Sequence, residues 1–389
     1  MGSFEDACTA IERDRDNRAN NRIGEFFIQH LNSSYCSVLF VLATTAVVAK
    51  EVFGEQIKCW CPDQFTDKQV EFTNNYCYVR NTYYVSSRQT ISPYPEDRKV
   101  YEIYYYPWVP VVLFTQCVLF VIPKWTWMQL QTFSSFSFVS RTTKNRNIMN
   151  ADDHTNIAHS VNKWILIRMQ KKKQGIRLRK QAYSFEISRE SYLAKTYVFC
   201  CFLYVLNSIG QLFLLDKFLG NHFLSLGTDI VFKRKYEEHR PGMLRFPTVT
   251  FCDTFVRRMI NIQTYTVQCS LPNNLFNEII FILTWFLLVL LSIVNIVSLV
   301  DHFAIFLRRR RKMFIRKCLL LSENQGSTHK YVGNDSELFD DFLDNYLGVD
   351  GVFVISLVSY QLGAVYSSIL VENIWDSFNE HKNNDEKTS

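Results

Sequence analysis

At 389 residues the chain is long enough for two or three soluble domains or for one membrane bundle with sizeable loops. Its mean hydropathy is only −0.07 although 48% of its residues are apolar, so the apolar residues must be concentrated in blocks. The net charge of +6 lies mainly in clusters beside those blocks, which indicates membrane orientation and not nucleic-acid binding. No phosphate-binding Gly-rich loop, nucleophile elbow or paired-carboxylate site appears where an enzyme would need it, so the sequence predicts no enzyme, cofactor or metal site.

The first thirty residues are largely polar and charged, and they have no apolar core of a signal peptide. We therefore expect residues 1–30 to stay in the cytoplasm. Phe4, Ala7, Cys8 and Ile11 recur at helical spacing, which is compatible with a short helix that narrows the cytoplasmic mouth of a pore. A plain solvent-exposed tail is the competing interpretation.

Four segments have the roughly 20 mostly apolar residues that a helix needs to cross a bilayer. They are residues 31–50, 104–123, 192–215 and 279–307. The first carries hydroxyl side chains, among them Ser33, Ser37 and Thr44, which makes it the best candidate for lining a pore. The same hydroxyls can instead bond their own backbone or a neighbouring helix, and the sequence does not separate the two interpretations.

Lys and Arg near the ends of spans are retained on the cytoplasmic side. Residues 124–191 are strongly basic, and Arg308–Lys312 follow the fourth span at once. We therefore expect residues 124–191 and 308–389 in the cytoplasm, together with the N-terminus, and residues 51–103 and 216–278 outside the cell.

An apolar block at residues 352–370 is interrupted by Ser, Gln and Gly, and a fifth span there would place the C-terminus outside. The sequence favours a cytoplasmic helix that packs beneath the membrane. The predicted fold is an all-α membrane protein: a four-transmembrane-helix bundle with disulfide-linked extracellular loops containing some β structure, and with helical cytoplasmic domains. The alternation in residues 246–251 predicts a strand in the second outer loop, and a free strand edge there could pair with a partner.

Five of the eleven Cys fall in the predicted outer loops, where thiols oxidise: Cys59, Cys61, Cys77, Cys252 and Cys269. Five cannot all pair within one chain, so one is expected to remain free. A bridge between the two loops would hold them as one rigid docking surface, while ordinary stabilisation of an extracellular domain explains the same residues equally well.

The head of the second span carries Tyr105, Tyr106, Trp108 and Val109, which resemble the YYxWV signature of the innexins. The third position of the motif, usually Gln, is Pro107 here. Residues 57–59 and 75–83 also resemble the first outer loop of that family, and the resemblance extends essentially to the end of the fourth span.

The resemblance implies which Cys are matched and how they pair. Cys59 and Cys77 correspond to the two Cys of the first outer loop, and Cys252 and Cys269 to those of the second, which leaves Cys61 as the extra residue. The family pattern implies bridges from Cys59 to Cys269 and from Cys77 to Cys252.

The resemblance also implies a function: a subunit of gap-junction channels in the plasma membrane, passing ions and small molecules by diffusion. Such a subunit would form homo-oligomers, or hetero-oligomers with other innexins, and dock to a hemichannel of the neighbouring cell. The polar residues Asn74 and Asn75 are candidates for docking contacts. An undocked channel of the related pannexin type and a non-conducting receptor are the alternatives.

Overall fold

A computed structural model describes residues 27–85, 90–132, 161–167, 191–220, 223–231, 246–323 and 336–388. Phe4 and the rest of the predicted N-terminal funnel lie outside these residues. Helices dominate the described part of the chain. Their bounds are α1 Phe27–His30, α2 Ser37–Phe53, α3 Asp67–Arg80, α4 Pro95–Lys99, α5 Val109–Thr132, α6 Tyr192–Phe218, α7 Leu226–Val231, α8 Asn273–Phe303, α9 Arg308–Glu323, α10 Ser336–Asp341, α11 Gly348–Leu362 and α12 Ala364–Thr388. A π-helical stretch, Leu31–Cys36, joins α1 to α2, another, Phe342–Leu347, joins α10 to α11, and residues 161–167 are also helical.

Within the described ranges, five helical segments are long and apolar enough to cross a membrane: Ile28–Phe53, Tyr106–Gln131, Tyr192–Phe218, Asn273–Phe306 and Glu337–Tyr360. The first four coincide with the predicted spans, although the second continues past Pro123 to Thr132 and the fourth begins at Asn273. The fifth differs in its surroundings, because 67% of its apolar window is buried inside the protein, compared with 17% to 39% for the others. The mostly helical class with several membrane-capable helices is confirmed; length and composition alone do not establish that the number of spans is four.

The predicted β structure is a five-stranded antiparallel sheet formed by the two predicted outer loops. Its strands are β1 Lys58–Trp60, β2 Thr82–Tyr83, β3 Glu102–Ile103, β4 Val249–Arg258 and β5 Asn261–Ser270, in the order β1-β5-β4-β2-β3. The strand predicted at residues 246–251 begins only at Val249. We call this sheet together with α3 and α4 the cap.

The chain folds as two compact units. One comprises Leu31–Ile122 and Tyr204–Asn295 and contains the cap with the adjoining parts of four long helices. The other comprises Met1–His30, Pro123–Leu203 and Ile296–Ser389. Its core is made by α9 to α12 together with the end of α5, residues 161–167 and the start of α6, and it is rich in buried aromatic rings, including Phe342, Phe353 and Trp375.

The start of α6 in this second unit is held by a distant acid. Both oxygens of the buried Asp350 carboxylate accept hydrogen bonds from main-chain N–H groups, from Leu193 at 3.2 Å and from Ala194 at 2.9 Å. The first N–H groups of a helix have no partner within the helix, and a carboxylate there also interacts favourably with the helix dipole. A residue of α11 therefore caps a long apolar helix through Leu193, which lies 157 residues earlier in the chain.

A pair of buried amides links two long helical segments within the cap unit. Asn32 Nδ2 donates to Asn295 Oδ1 at 2.7 Å, and Asn295 Nδ2 donates back to Asn32 Oδ1 at 3.0 Å. The side chains are 0% and 1% exposed, respectively. Reciprocal amide bonds of this kind satisfy polar groups that lipid cannot hydrate, and so they fix how the two helices pack.

We expect Asn295→Leu to lower the free energy of unfolding by about 1–2 kcal/mol, because it removes the reciprocal bonds to the buried Asn32 amide and the bonds that Asn295 Nδ2 donates to Tyr204 O and Ser208 Oγ. The double variant Asn32→Leu/Asn295→Leu should recover part of that loss, since a buried amide then no longer faces an apolar side chain. Thermal unfolding of the purified protein measures both effects. Thr45→Val is the matched control, because the Thr45 hydroxyl bonds only its own helix, at Val41 O. Equal losses in the single and double variants would contradict the pairing.

Candidate functional site: the disulfide-linked cap

The two predicted outer loops are joined by two disulfide bonds, Cys59–Cys269 and Cys77–Cys252. These are the pairs that the family resemblance implies. Cys59 on β1 lies directly opposite Cys269 on β5, with their Cα atoms 3.9 Å apart. Cys77 lies on the inner face of α3 and reaches Cys252 on β4, with a Cα–Cα distance of 5.8 Å. Each bond joins residues more than 170 positions apart, so the cap is one crosslinked body.

The sulfur atoms of Cys59, Cys77 and Cys269 lie within 4.8 Å of one another. A metal site would require thiolates, but all three sulfurs are committed to disulfide bonds. This cluster is therefore a buried structural crosslink.

The extra cysteine of the first loop, Cys61, is a free thiol and is half-buried. Burial raises the pKa of this thiol, and the hydroxyl of Thr73 opposes the shift by hydrogen bonding. A thiol with a raised pKa is mostly protonated at neutral pH and reacts slowly. Cys61 is thus available as a control residue that belongs to the cap but not to its crosslinks.

The YYxWV-like motif connects α5 to the cap. Tyr105, Tyr106 and Val109 are buried, whereas Trp108 is 59% exposed. The Tyr106 hydroxyl donates to Tyr78 O of α3 at 3.1 Å, and the Tyr105 ring meets the Phe246 ring edge-on at 5.7 Å. The motif residues therefore hold the start of a long apolar helix against the crosslinked cap.

A partly buried ion pair provides a further link between the two loops. Arg98 at the end of α4 contacts Asp253 on β4, with Nη1 and Oδ2 2.7 Å apart and side-chain exposures of 14% and 17%. The other Asp253 oxygen accepts bonds from the Tyr83 hydroxyl at 3.1 Å and the Thr266 hydroxyl at 2.8 Å. Burial, together with the Asp253 charge, raises the pKa of Tyr83 to about 12. The Tyr83 hydroxyl thus stays a hydrogen-bond donor over the physiological pH range.

Asp253→Asn is expected to lower the free energy of unfolding of the cap by about 2–3 kcal/mol, because it leaves the Arg98 charge largely buried and unpaired. Thermal unfolding monitored by circular dichroism tests this. Glu96→Gln is the matched control: Glu96 pairs with Lys99 on the surface of α4, where exposures of 61% and 81% make the pair weak. Equal stability of the two variants would contradict the role of Asp253.

The candidate pore-lining residues differ in their surroundings. Ser33 is buried, while Ser37 and Thr44 are half-buried. The Ser37 hydroxyl donates to Ser33 O at 2.6 Å and the Thr44 hydroxyl to Phe40 O at 2.7 Å. Two of the three hydroxyls are therefore bonded to their own helix, as the alternative interpretation expected, and such bonds leave their second lone pair available.

The candidate docking residues lie on α3 and not at the tip of a loop. Asn75 is exposed, whereas Asn74 is half-buried and its Oδ1 accepts a bond from Cys59 N at 3.0 Å. Asn74 therefore supports the strand that carries a crosslinked cysteine, and Asn75 is the one whose side chain is directed to solvent.

The most exposed apolar residues of the cap were missed by sequence reasoning. Met259 and Ile260 form the turn between β4 and β5, and both are fully exposed. Among the described residues β4 pairs with β2 at Phe251 and β1 pairs with β5 at residues 268–270, so no third strand pairs with the outer part of the hairpin. The signal in the sequence is an apolar pair between Arg258 and Asn261, at a position where a turn normally has polar residues.

Comparison with known proteins gives one consistent result. The innexin family model matches residues 26–378. Innexin unc-9 of Caenorhabditis elegans is 31% identical, over 92% of this chain and 94% of that protein. Innexin-11 of the same organism is 31% identical over 89% of this chain and 77% of its own length, and innexin-3 is 29% identical over 90% and 83%. The matched residues span the cap and the four long helices, and the chain belongs to the innexin family.

Proposed function

We propose that this chain is a subunit of a plasma-membrane channel that docks end to end with the same kind of channel on an adjacent cell and passes ions and small molecules by diffusion. Innexins are subunits of gap-junction channels. The observation that carries the proposal is the family match over residues 26–378, which covers the cap and the four long apolar helices. The crosslinked cap with its exposed apolar tip adds a feature suited to docking.

The proposed topology has four spans with both termini in the cytoplasm. The clusters at residues 171–180 and Arg308–Lys312 then lie on the side where basic residues are retained. The fifth apolar segment, Glu337–Tyr360, is assigned to the cytoplasm because most of its surface is already covered by α9 and α12. It also carries five carboxylates, Glu337, Asp340, Asp341, Asp344 and Asp350, whose burial in lipid would be costly.

Conduction requires several subunits, because a single four-helix bundle encloses no wide aqueous path. The first long helix is the least covered by its own chain: only 17% of its apolar window is buried. In the proposed channel the uncovered surface meets neighbouring subunits, lipid and the pore. Subunits of the same kind, or of other innexins, would surround the axis, with Ser33, Ser37, Thr44 and Phe4 as pore-lining candidates and Asn74 and Asn75 as docking candidates.

Current measured between paired cells, and separately in single cells, tests the proposal. Cells of both members of a pair express the full chain, and pairs in which only one cell expresses it serve as the control. We expect junctional current only when both cells express the chain. Current in single cells without junctional current would point instead to an undocked channel, and the absence of both would overturn the assignment as a self-sufficient channel.

A further inference from the structure

We propose that the cap contains a binding site for a small organic anion with an aromatic body. The site is a groove between α3 and the β4–β5 hairpin, with a volume of about 680 Å³. That volume is within the range of pockets that hold drug-sized molecules. We call it the cap groove, and its lining includes five aromatic rings and three cationic side chains.

The cationic side chains are Lys68 and Arg80 on α3 and Arg257 on β4. No Asp or Glu is among the described residues that line the groove, and within the described part of the chain none of the three cations has a carboxylate partner. By contrast, the charge of Arg98 in the same cap is neutralised by Asp253. Three cations line one groove that has no acidic lining residue, so the local charge favours a bound anion.

Arg80 is held in position by aromatic rings in place of an acid. Its guanidinium lies 5.1 Å from the centre of the Phe255 ring and 5.7 Å from that of Tyr76. Its Nη1 donates to the Tyr76 hydroxyl at 2.7 Å. Cation–π contacts orient a guanidinium but do not cancel its charge, so the planar fork remains able to bind a carboxylate, sulfonate or phosphate with two hydrogen bonds.

The remaining wall is a surface on which a flat apolar body can stack. Phe65 and Tyr265 meet edge-on with their centres 5.1 Å apart, and Phe72 stacks on Tyr76 at 6.1 Å. Phe72 is 60% exposed, so its ring is accessible to a molecule bound in the groove. An inorganic anion would leave these rings in water, and a neutral aromatic molecule would leave the cations unpaired. An aromatic anion would both cover the rings and pair with the cations.

Ligand binding there would add a second connection between the two walls of the groove. The walls are already joined by Cys77–Cys252 at the sheet end, while Arg257 lies two residues from the hairpin tip. An anion shared by Arg80 and Arg257 would add a charged link between α3 and the outer part of the hairpin. All residues of the site belong to one subunit's cap region, so ligand binding can be tested whether or not the channel docks.

The test uses the full chain in nanodiscs of phosphatidylcholine, with empty nanodiscs subtracted, and equilibrium dialysis of naphthalene-2-sulfonate. Naphthalene-2-methanol is the neutral analogue. We expect saturable binding of the sulfonate, at least about tenfold tighter than that of the alcohol. The double variant Lys68→Gln/Arg257→Gln should weaken sulfonate binding about tenfold and leave alcohol binding within about twofold, because exposed charges each contribute modestly.

Lys99→Gln is the matched control, because Lys99 is an exposed cation of the same cap that does not line the groove. It should leave the sulfonate Kd unchanged within about twofold. Unaltered alcohol binding shows that the double variant is folded, and since Arg80 is retained its ring contacts are not disturbed. The proposal is overturned if the sulfonate shows no saturable binding, binds no tighter than the alcohol, or binds the double variant as tightly as the unmodified chain.

Discussion

Removing one of the two cap crosslinks, by Cys77→Ser together with Cys252→Ser, is expected to abolish junctional current. Both residues are buried, so the change leaves two hydroxyls in an apolar core as well as breaking the bond. With Cys59–Cys269 still in place, the lost bond had closed a ring of roughly 35 residues, for which chain entropy alone predicts about 4 kcal/mol. That loss is large relative to the stability of a small folded region.

Changing both cysteines avoids leaving one thiol to form a wrong bridge. The measurements are junctional conductance, surface labelling of the cells and thermal unfolding of the purified protein. Cys61→Ser is the matched control, because Cys61 is a free thiol of the same cap, and it should conduct like the unmodified chain. Normal junctional current in the double variant would show that docking does not need this crosslink.

The long helices could be predicted because a span is a local property: about 20 apolar residues in a row suffice. Their ends were less predictable. The second predicted span was ended at Pro123, yet α5 continues to Thr132 with Pro123 inside it. Glu337–Tyr360 shows the limit of local reasoning, because its apolar residues resemble a span in composition and only the surrounding helices α9 and α12 show what covers them.

The contacts that shape the cap could not be read from the sequence alone. The spacing of five outer cysteines left several pairings open, and it was the family resemblance that indicated Cys59 with Cys269 and Cys77 with Cys252. The Arg98–Asp253 pair joins residues 155 positions apart, and nothing near either residue indicates its partner. The sequence predicts Asn74 as a polar surface residue for docking, but the position of β1 places the Cys59 N–H where it donates a hydrogen bond to Asn74 Oδ1.

The hairpin tip is where we expect a small change to separate docking from conduction. Met259→Asp together with Ile260→Asp should reduce junctional current at least about tenfold, because apolar side chains that carry the centre of an interface are replaced by charges that must be desolvated. Both side chains are fully exposed and make the turn of a ribbon whose ten-residue strands span roughly 30 Å, so the fold has no need of them. Single-cell current and surface labelling should therefore remain as in the unmodified chain.

Val100→Asp is the matched control, because Val100 is also an exposed apolar residue of the cap, 80% exposed, but lies after α4 and not on the hairpin. It should leave junctional current unchanged. Pairing a cell that expresses the tip variant with one that expresses the unmodified chain sharpens the test: if each tip meets the facing cap, one altered side already weakens the contact. Junctional current that survives in both pairings would place the docking surface elsewhere on the cap, with Asn75 on α3 the next residue to change, whereas loss of single-cell current as well would mean that the tip is needed for assembly.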